Sequence, residues 1–133
     1  MTTNPVDIAA LITEKLGTLT TVQAGTDEPP SLCVTLPSTW PDGDNLMLFV
    51  YPVPGEQWVV TDDGETATRL GWAGMSDEEA QAIVAEACGT PFGSAAGSGS
   101  VCMAVSTPQH VPLAIVRVAS VCLSLARVRW SRS

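Results

Sequence analysis

Apolar and polar positions alternate in two different rhythms along this chain, and the change of rhythm is the first guide to its fold. From Asn4 to Gly17, apolar residues fall at Ile8, Leu11, Ile12 and Leu16, the three-and-four spacing of a helix with one buried stripe. Asn4 stands where a helix cap belongs, Pro5 suits the first helical position, Asp7 lies in the first turn, and Gly17 supplies a stop. The spacing then shortens. "LTTVQAG", "LCVTL", "NLMLFVY" and "QWVVT" are short, rich in β-branched and large apolar residues, and separated by Pro, Gly and Asp, as antiparallel strands are. "PVPG", Pro52–Gly55, reads as a hairpin turn. Helical spacing returns in "SDEEAQAIVAEACG", where Ser76 and Glu79 frame a capping box, Ala80, Ile83, Val84 and Ala87 give one apolar face, and Gly89 is placed as a stop. "VCMAVS" predicts a last strand and Pro112 the start of a last helix. The fold class is therefore α+β: a small antiparallel sheet of about four to five strands with an N-terminal, a middle and a C-terminal helix.

A chain of 133 residues, 45% hydrophobic, holds one domain with a core and is too short for two of ordinary size. Residues 1–133 read as that single domain, with the small-residue segment 90–100, "TPFGSAAGSGS", as a flexible loop inside it. Its glycines are not followed by the lysine of a phosphate loop.

"VPLAIVRVASVCLSLA", residues 111–126, raises the question of a membrane. A span needs about 20 apolar residues and is penalised by about 2.5–3.5 kcal/mol for a central charge, whereas this run is shorter and contains Arg117. A buried helix is favoured, with Leu113, Val116 and Leu123 expected against the sheet or a second copy. The start of the chain has no basic run ahead of its apolar residues and no cleavage-like site, which places the protein in the cytoplasm with reduced thiols. Cys33, Cys88, Cys102 and Cys122 lack the paired spacing of a zinc or redox motif and read as buried thiols.

Charge narrows the function. The formal net charge is −8, and it is unevenly spread: all fourteen acids lie between Asp7 and Glu86, while residues 91–133 carry no acid and four arginines. So acidic a chain does not take nucleic acid as a direct partner, since phosphate neutralisation needs clustered Lys and Arg. Nucleophilic catalysis has no foothold either. The one histidine, His110, lies in "TPQHVP", and no serine or cysteine sits in a Gly-x-Ser-x-Gly elbow.

The densest concentration of chemistry is "WVVTDDGETATRLGW", Trp58–Trp72. As a structural element, Asp62 would cap a short helix while Glu65, three residues on, reaches back. Asp63 would then lie in the first turn, and Gly71 would form a left-handed C-cap after Leu70. On that reading Asp62→Ala and Glu65→Ala each cost about 0.5–2 kcal/mol, as lost caps do. As a catalytic element, Asp62, Asp63 and Glu65, with Asp42 and Asp44 of "WPDGDN", would bind a divalent metal and serve a hydrolase. However, "DGDN" lacks calcium-loop spacing and no lysine or histidine stands beside these acids, so no metal, cofactor or catalytic residue is assigned.

Residues 34–74, from "VTLPSTWPDGDNLMLFVY" through "WVVTDDGETATRLGWAG", resemble the bacterial and phage family known as domain of unknown function 1828. Asp44, Tyr51, Thr61, Asp62, Asp63, Gly64, Leu70 and Gly74 fill the places of that family's Asp-containing turn, its Tyr-bearing strand, its Thr-Asp-Asp-Gly and its short helix. The resemblance covers under a third of the chain. It implies a small α+β domain of the kind common on phage and mobile elements, and implies no activity.

Charge and resemblance together favour a small non-enzymatic binding or inhibitor protein, of anti-CRISPR or anti-restriction type, that docks an acidic face on the basic, nucleic-acid-binding surface of another protein. The acids that no cap requires, Asp27, Glu28, Asp42, Asp44 and Glu56, are the expected contact residues, whereas Asp7, Asp62 and Glu79 are expected to serve folding. The alternatives are the metal-dependent hydrolase and a structural or homodimerising accessory domain.

Overall fold

The computed structural model describes residues 5–17, 19–26, 30–55, 57–93 and 100–132, with the side chains of residues 5, 85, 87–93 and 127–132 outside that description. Helix α1 (Pro5–Leu16) is followed by strands β1 (Thr21–Ala24), β2 (Leu32–Thr39), β3 (Asn45–Val53) and β4 (Gln57–Thr61). Helices α2 (Glu65–Trp72) and α3 (Asp77–Gly93) come next, then strand β5 (Cys102–Val105), a tight helical turn at Pro108–His110 and helix α4 (Val111–Arg132). The five strands form one sheet in chain order, each antiparallel to its neighbour. This is the α+β architecture that the alternating pattern predicts.

Turn chemistry sets the element boundaries. Gly17 ends α1 in a left-handed conformation (φ 91°), with its amide donating to the Thr13 carbonyl at 3.0 Å. Gly55 takes φ 88° in the predicted β3–β4 hairpin, whose register pairs Val53 with Gln57. Between β2 and β3 the ladder is irregular from Thr35 to Thr39, the stretch that contains Pro37, and the Asn45 side-chain amide donates to the Leu36 carbonyl there at 2.8 Å. Ser76 caps α3: its hydroxyl accepts the Glu79 amide at 3.2 Å and donates to the Glu79 carboxyl at 3.1 Å.

One face of the sheet is buried. Leu32, Val34, Leu48, Val50, Trp58 and Val60 point into a core completed by Ile8 and Ile12 of α1, Leu70 of α2, Ala80 and Val84 of α3, and a stripe of α4. That stripe is Val111, Ala114, Ile115, Val118, Ala119, Cys122 and Ala126, at three-and-four spacing. The helical segment Pro108–Ala126, the tight turn and the first part of α4, is long and apolar enough to cross a membrane by length and composition, yet the buried stripe of α4 belongs to the core. The opposite face of the sheet carries Cys33, Thr35, Met47, Phe49, Tyr51 and Val59, all half-buried or exposed. The Phe49 and Tyr51 rings stack along β3 with centroids 6.3 Å apart.

Three local expectations are corrected. α3 does not stop at Gly89 but continues to Gly93, so residues 90–93 of the expected loop are helical, and residues 94–99 lie outside the described residues. Gly71 lies within α2, and the left-handed residue is Gly74 (φ 103°). There the Met75 amide reaches the Leu70 carbonyl and the Gly74 amide the Gly71 carbonyl, a paired C-terminal closure that needs the left-handed residue after Ala73. Finally, Leu113 and Val116 are 51% and 47% exposed and do not pack on the sheet, because the stripe from Val111 through Ile115 and Val118 to Ala126 takes that side of α4, with Leu123 partly buried at its edge.

Candidate functional site

Asp62 follows β4 directly and is 1% exposed. Its Oδ1 accepts the backbone amides of Gly64 at 3.0 Å and Val101 at 2.9 Å, and its Oδ2 accepts the Thr66 amide at 2.8 Å. The Cys122 thiol of α4 points at Oδ2 from 3.9 Å. One carboxyl thus holds the entry to α2, the approach to β5 and the inner side of α4. A buried carboxyl is tolerated here because backbone donors meet both oxygens.

The capping expectation is half right. Asp62 does serve amides at the start of α2, but the residue immediately before the helix is Gly64 (φ 85°), and Asp63 adopts φ 56° in the turn outside it. Glu65 does not reach back. Its Oε1 accepts from Arg69 Nε at 2.9 Å, one turn along α2. Asp62, Asp63 and Glu65 therefore point to different surroundings: the core, solvent and Arg69. Among the described residues, no group of three or more His, Cys, Asp or Glu side chains is placed to hold a metal ion.

Arg69 is the centre that composition did not reveal. Besides Glu65, its Nη1 donates to Asp42 Oδ2 at 2.7 Å and its Nη2 to Asp44 Oδ2 at 3.1 Å. The guanidinium carbon lies 4.7 Å from the centre of a Trp40 ring and 5.4 Å from that of Trp72. The turn between β2 and β3 presents the two aspartates by a local mechanism. The Trp40 amide donates to the Asp44 carbonyl, Gly43 turns at φ 96°, and Asp42 Oδ1 accepts the Asp44 amide at 3.0 Å.

These contacts set the protonation behaviour of the cluster. The Asp44 amide holds the Asp42 carboxyl below the usual carboxylate range, with Arg69 reinforcing it against a desolvation that works the other way. Burial disfavours the Arg69 charge, but Asp44, Asp42 and Glu65 more than offset it, so its pKa is raised. Across the open sheet face, burial pushes the Cys33 thiol up.

Of the five expected contact residues, Asp42 and Asp44 are brought together at Arg69, while Asp27, Glu28 and Glu56 lie outside the described residues. Trp40, Thr66, Arg69 and Trp72 escaped the sequence reading. The spacing of Glu65 and Arg69 announced only their own ion pair. No protein-family model matches the chain, nor does any curated protein or solved structure.

Proposed function

We propose that this is a cytoplasmic protein-binding domain that docks, through the open side of its sheet, on a basic surface of another protein. The observation that carries the reading is a depression of about 480 Å³ where the open face meets the Arg69 cluster, lined by Trp40, Met47 and Phe49 together with Asp44, Asp63 and Glu65. Apolar side chains of this size, ringed by carboxylates, suit a partner that offers lysine or arginine around an apolar centre. Protein surfaces that bind nucleic acid have this chemistry, so occupancy by an acidic domain would displace phosphate and inhibit. The likeness to a phage and mobile-element family supports an anti-defence setting, with CRISPR or restriction machinery as the target.

Because Asp42 and Asp44 also hold Arg69, reversing their charge would disturb the fold as well as docking. Met47→Lys is the cleaner probe, since Met47 is exposed and faces away from the core. The measurement is the association rate, across a salt series, with the basic protein captured from a bacterial lysate at low salt. The reading expects the rate to fall with salt and Met47→Lys to lower it further at an unchanged melting temperature. A rate indifferent to both overturns it.

A second reading, a homodimerising accessory domain, draws on the exposed Leu113 and Val116 of α4. Sedimentation equilibrium of the parent and of Leu113→Glu separates the two: a concentration-dependent dimer lost in the variant supports self-association.

A further inference from the structure

β5 is the last strand of the sheet, and among the described residues no strand pairs with its outer side. The Asp62 amide donates to the Val101 carbonyl at 3.0 Å, and this bond fixes the alternation of the strand that follows. Val101, Met103 and Val105 turn their backbone groups to β4. Ala104, between the last two, turns its amide and carbonyl away from β4 and is exposed. A strand edge of this kind is a ready template for one more strand.

Beside that edge lies a groove of about 390 Å³ that shares no residue with the docking depression. Val101 and Met103 form its strand side, and Val116, Arg117 and Val121 of α4 its helix side. Only one charge lines it. Arg117 is exposed and belongs to none of the ion pairs among the described residues, whereas Arg69 is held by three carboxylates. The Ser120 hydroxyl, also in the groove, already donates to the Val116 carbonyl at 2.9 Å. Backbone groups at one wall select a polypeptide, aliphatic surface selects apolar side chains, and the guanidinium selects a carboxylate. A second copy does not supply that set: residues 91–133 contain no acid, and β1, the other edge of the sheet, reads Thr-Val-Gln-Ala.

We propose that an extended segment of another protein adds to β5 as a sixth strand, with an acidic residue set on Arg117 between two aliphatic residues that lie in the groove. Residues two apart share one face of a strand, so the partner's motif is aliphatic-x-acidic-x-aliphatic. The proposal does not rest on the docking reading: it uses another surface and a partner of opposite charge, and either can fail alone.

The test is a titration of the ¹⁵N-labelled protein with the peptide acetyl-Thr-Val-Thr-Glu-Thr-Val-Thr-amide and its counterpart with Gln in place of Glu. The Glu peptide is expected to give saturable shifts at Met103 and Ala104 and, at saturation, to slow hydrogen exchange of the Ala104 amide about tenfold or more. The Gln peptide should bind about threefold more weakly for want of the charge. Arg117→Gln, at an exposed side chain, should bring the Glu peptide to the level of the Gln peptide and leave the Gln peptide unchanged. Met47→Lys, on the docking face, should alter neither. Absence of saturable shifts with the Glu peptide, binding that leaves Ala104 exchange as it was, or equal affinity of the parent protein for the two peptides overturns the proposal. So does protection of Ala104 that rises with protein concentration before any peptide is added, which marks the edge as a contact between copies.

Discussion

The turn Asp42-Gly43-Asp44, between β2 and β3, and the turn Asp62-Asp63-Gly64, between β4 and α2, begin with the same local device. In each, the first aspartate accepts the backbone amide two residues ahead at 3.0 Å. Their second oxygens diverge. Asp42 Oδ2 turns outward to the side chain of Arg69, while Asp62 Oδ2 turns inward to the Thr66 amide, and Asp62 Oδ1 also receives Val101. An exposed carboxylate that loses its partner is taken up by water, whereas buried amides that lose a carboxylate are not. The same short motif is therefore a surface clasp in one place and an interior support in the other.

The strongest way to break the comparison is Asp62→Ala. It strands the buried amides of Thr66 and Val101, at about 1–3 kcal/mol each, so a total loss of roughly 2–6 kcal/mol is expected. That exceeds the cost of a lost helix cap, and urea denaturation measures it directly; a loss within the capping range would show that water reaches these amides. Arg69→Met should rank second. Three partly exposed ion pairs and two ring contacts are removed while the aliphatic bulk stays, for about 1–2 kcal/mol that shrinks with added salt.

Glu65→Ala sharpens the comparison further, because it separates capping from pairing. With its carboxyl on Arg69 it should cost roughly 0.2–1 kcal/mol, and repeating the denaturation in high salt should remove most of that difference. A salt-independent loss would restore the capping role that the sequence suggested. The smallest effect concerns pH. The Asp42 carboxyl is held below its ordinary value, so the stability it contributes is present above the unfolded-state pKa, near 4, and is lost as pH falls through the lower folded-state value. Asp42→Asn should therefore lose less stability than the parent between pH 4 and pH 2. Because the Asp44 amide is the chief cause of the shift, Arg69→Met should retain part of this acid dependence.

What could be read in advance follows the distance over which each interaction acts. The five strands, Pro5 and Gly17 at the ends of α1, and the Ser76–Glu79 cap depend on residues a few positions apart, and their patterns are visible in one line of text. Gly89 misled because a glycine stops a helix only when neighbouring contacts agree, and α3 runs through it. Leu113 and Val116 misled because a helix apolar nearly all round does not declare which stripe is inner. Arg69 gathers aspartates 27 and 25 residues away, and Asp62 reaches Val101 across 39. No periodicity records such pairings. The open face was half-legible: Met47 and Phe49 are as apolar as their buried neighbours Leu48 and Val50, so β3 does not show which side a helix covers.

The order of the strands also bears on how the chain reaches its fold. β1 to β4 are joined by the short segments 25–31, 40–44 and 54–56, so their hairpins can close one after another, each within its own neighbourhood. β5 is separated from β4 by residues 62–101, eight times the length of the β2–β3 connection, which adds three doublings of loop length and about 2 kcal/mol of closure entropy at roughly 0.6 kcal/mol each. A four-stranded meander should therefore precede the complete sheet, with β5 and α4 arriving last. Pulse-labelled hydrogen exchange should show Leu48, Val50 and Val59 protected ahead of Met103 and Val105, and simultaneous protection would contradict that order. Asp62 stands at the seam between the early and the late parts, holding the amide of Val101 as the final strand begins.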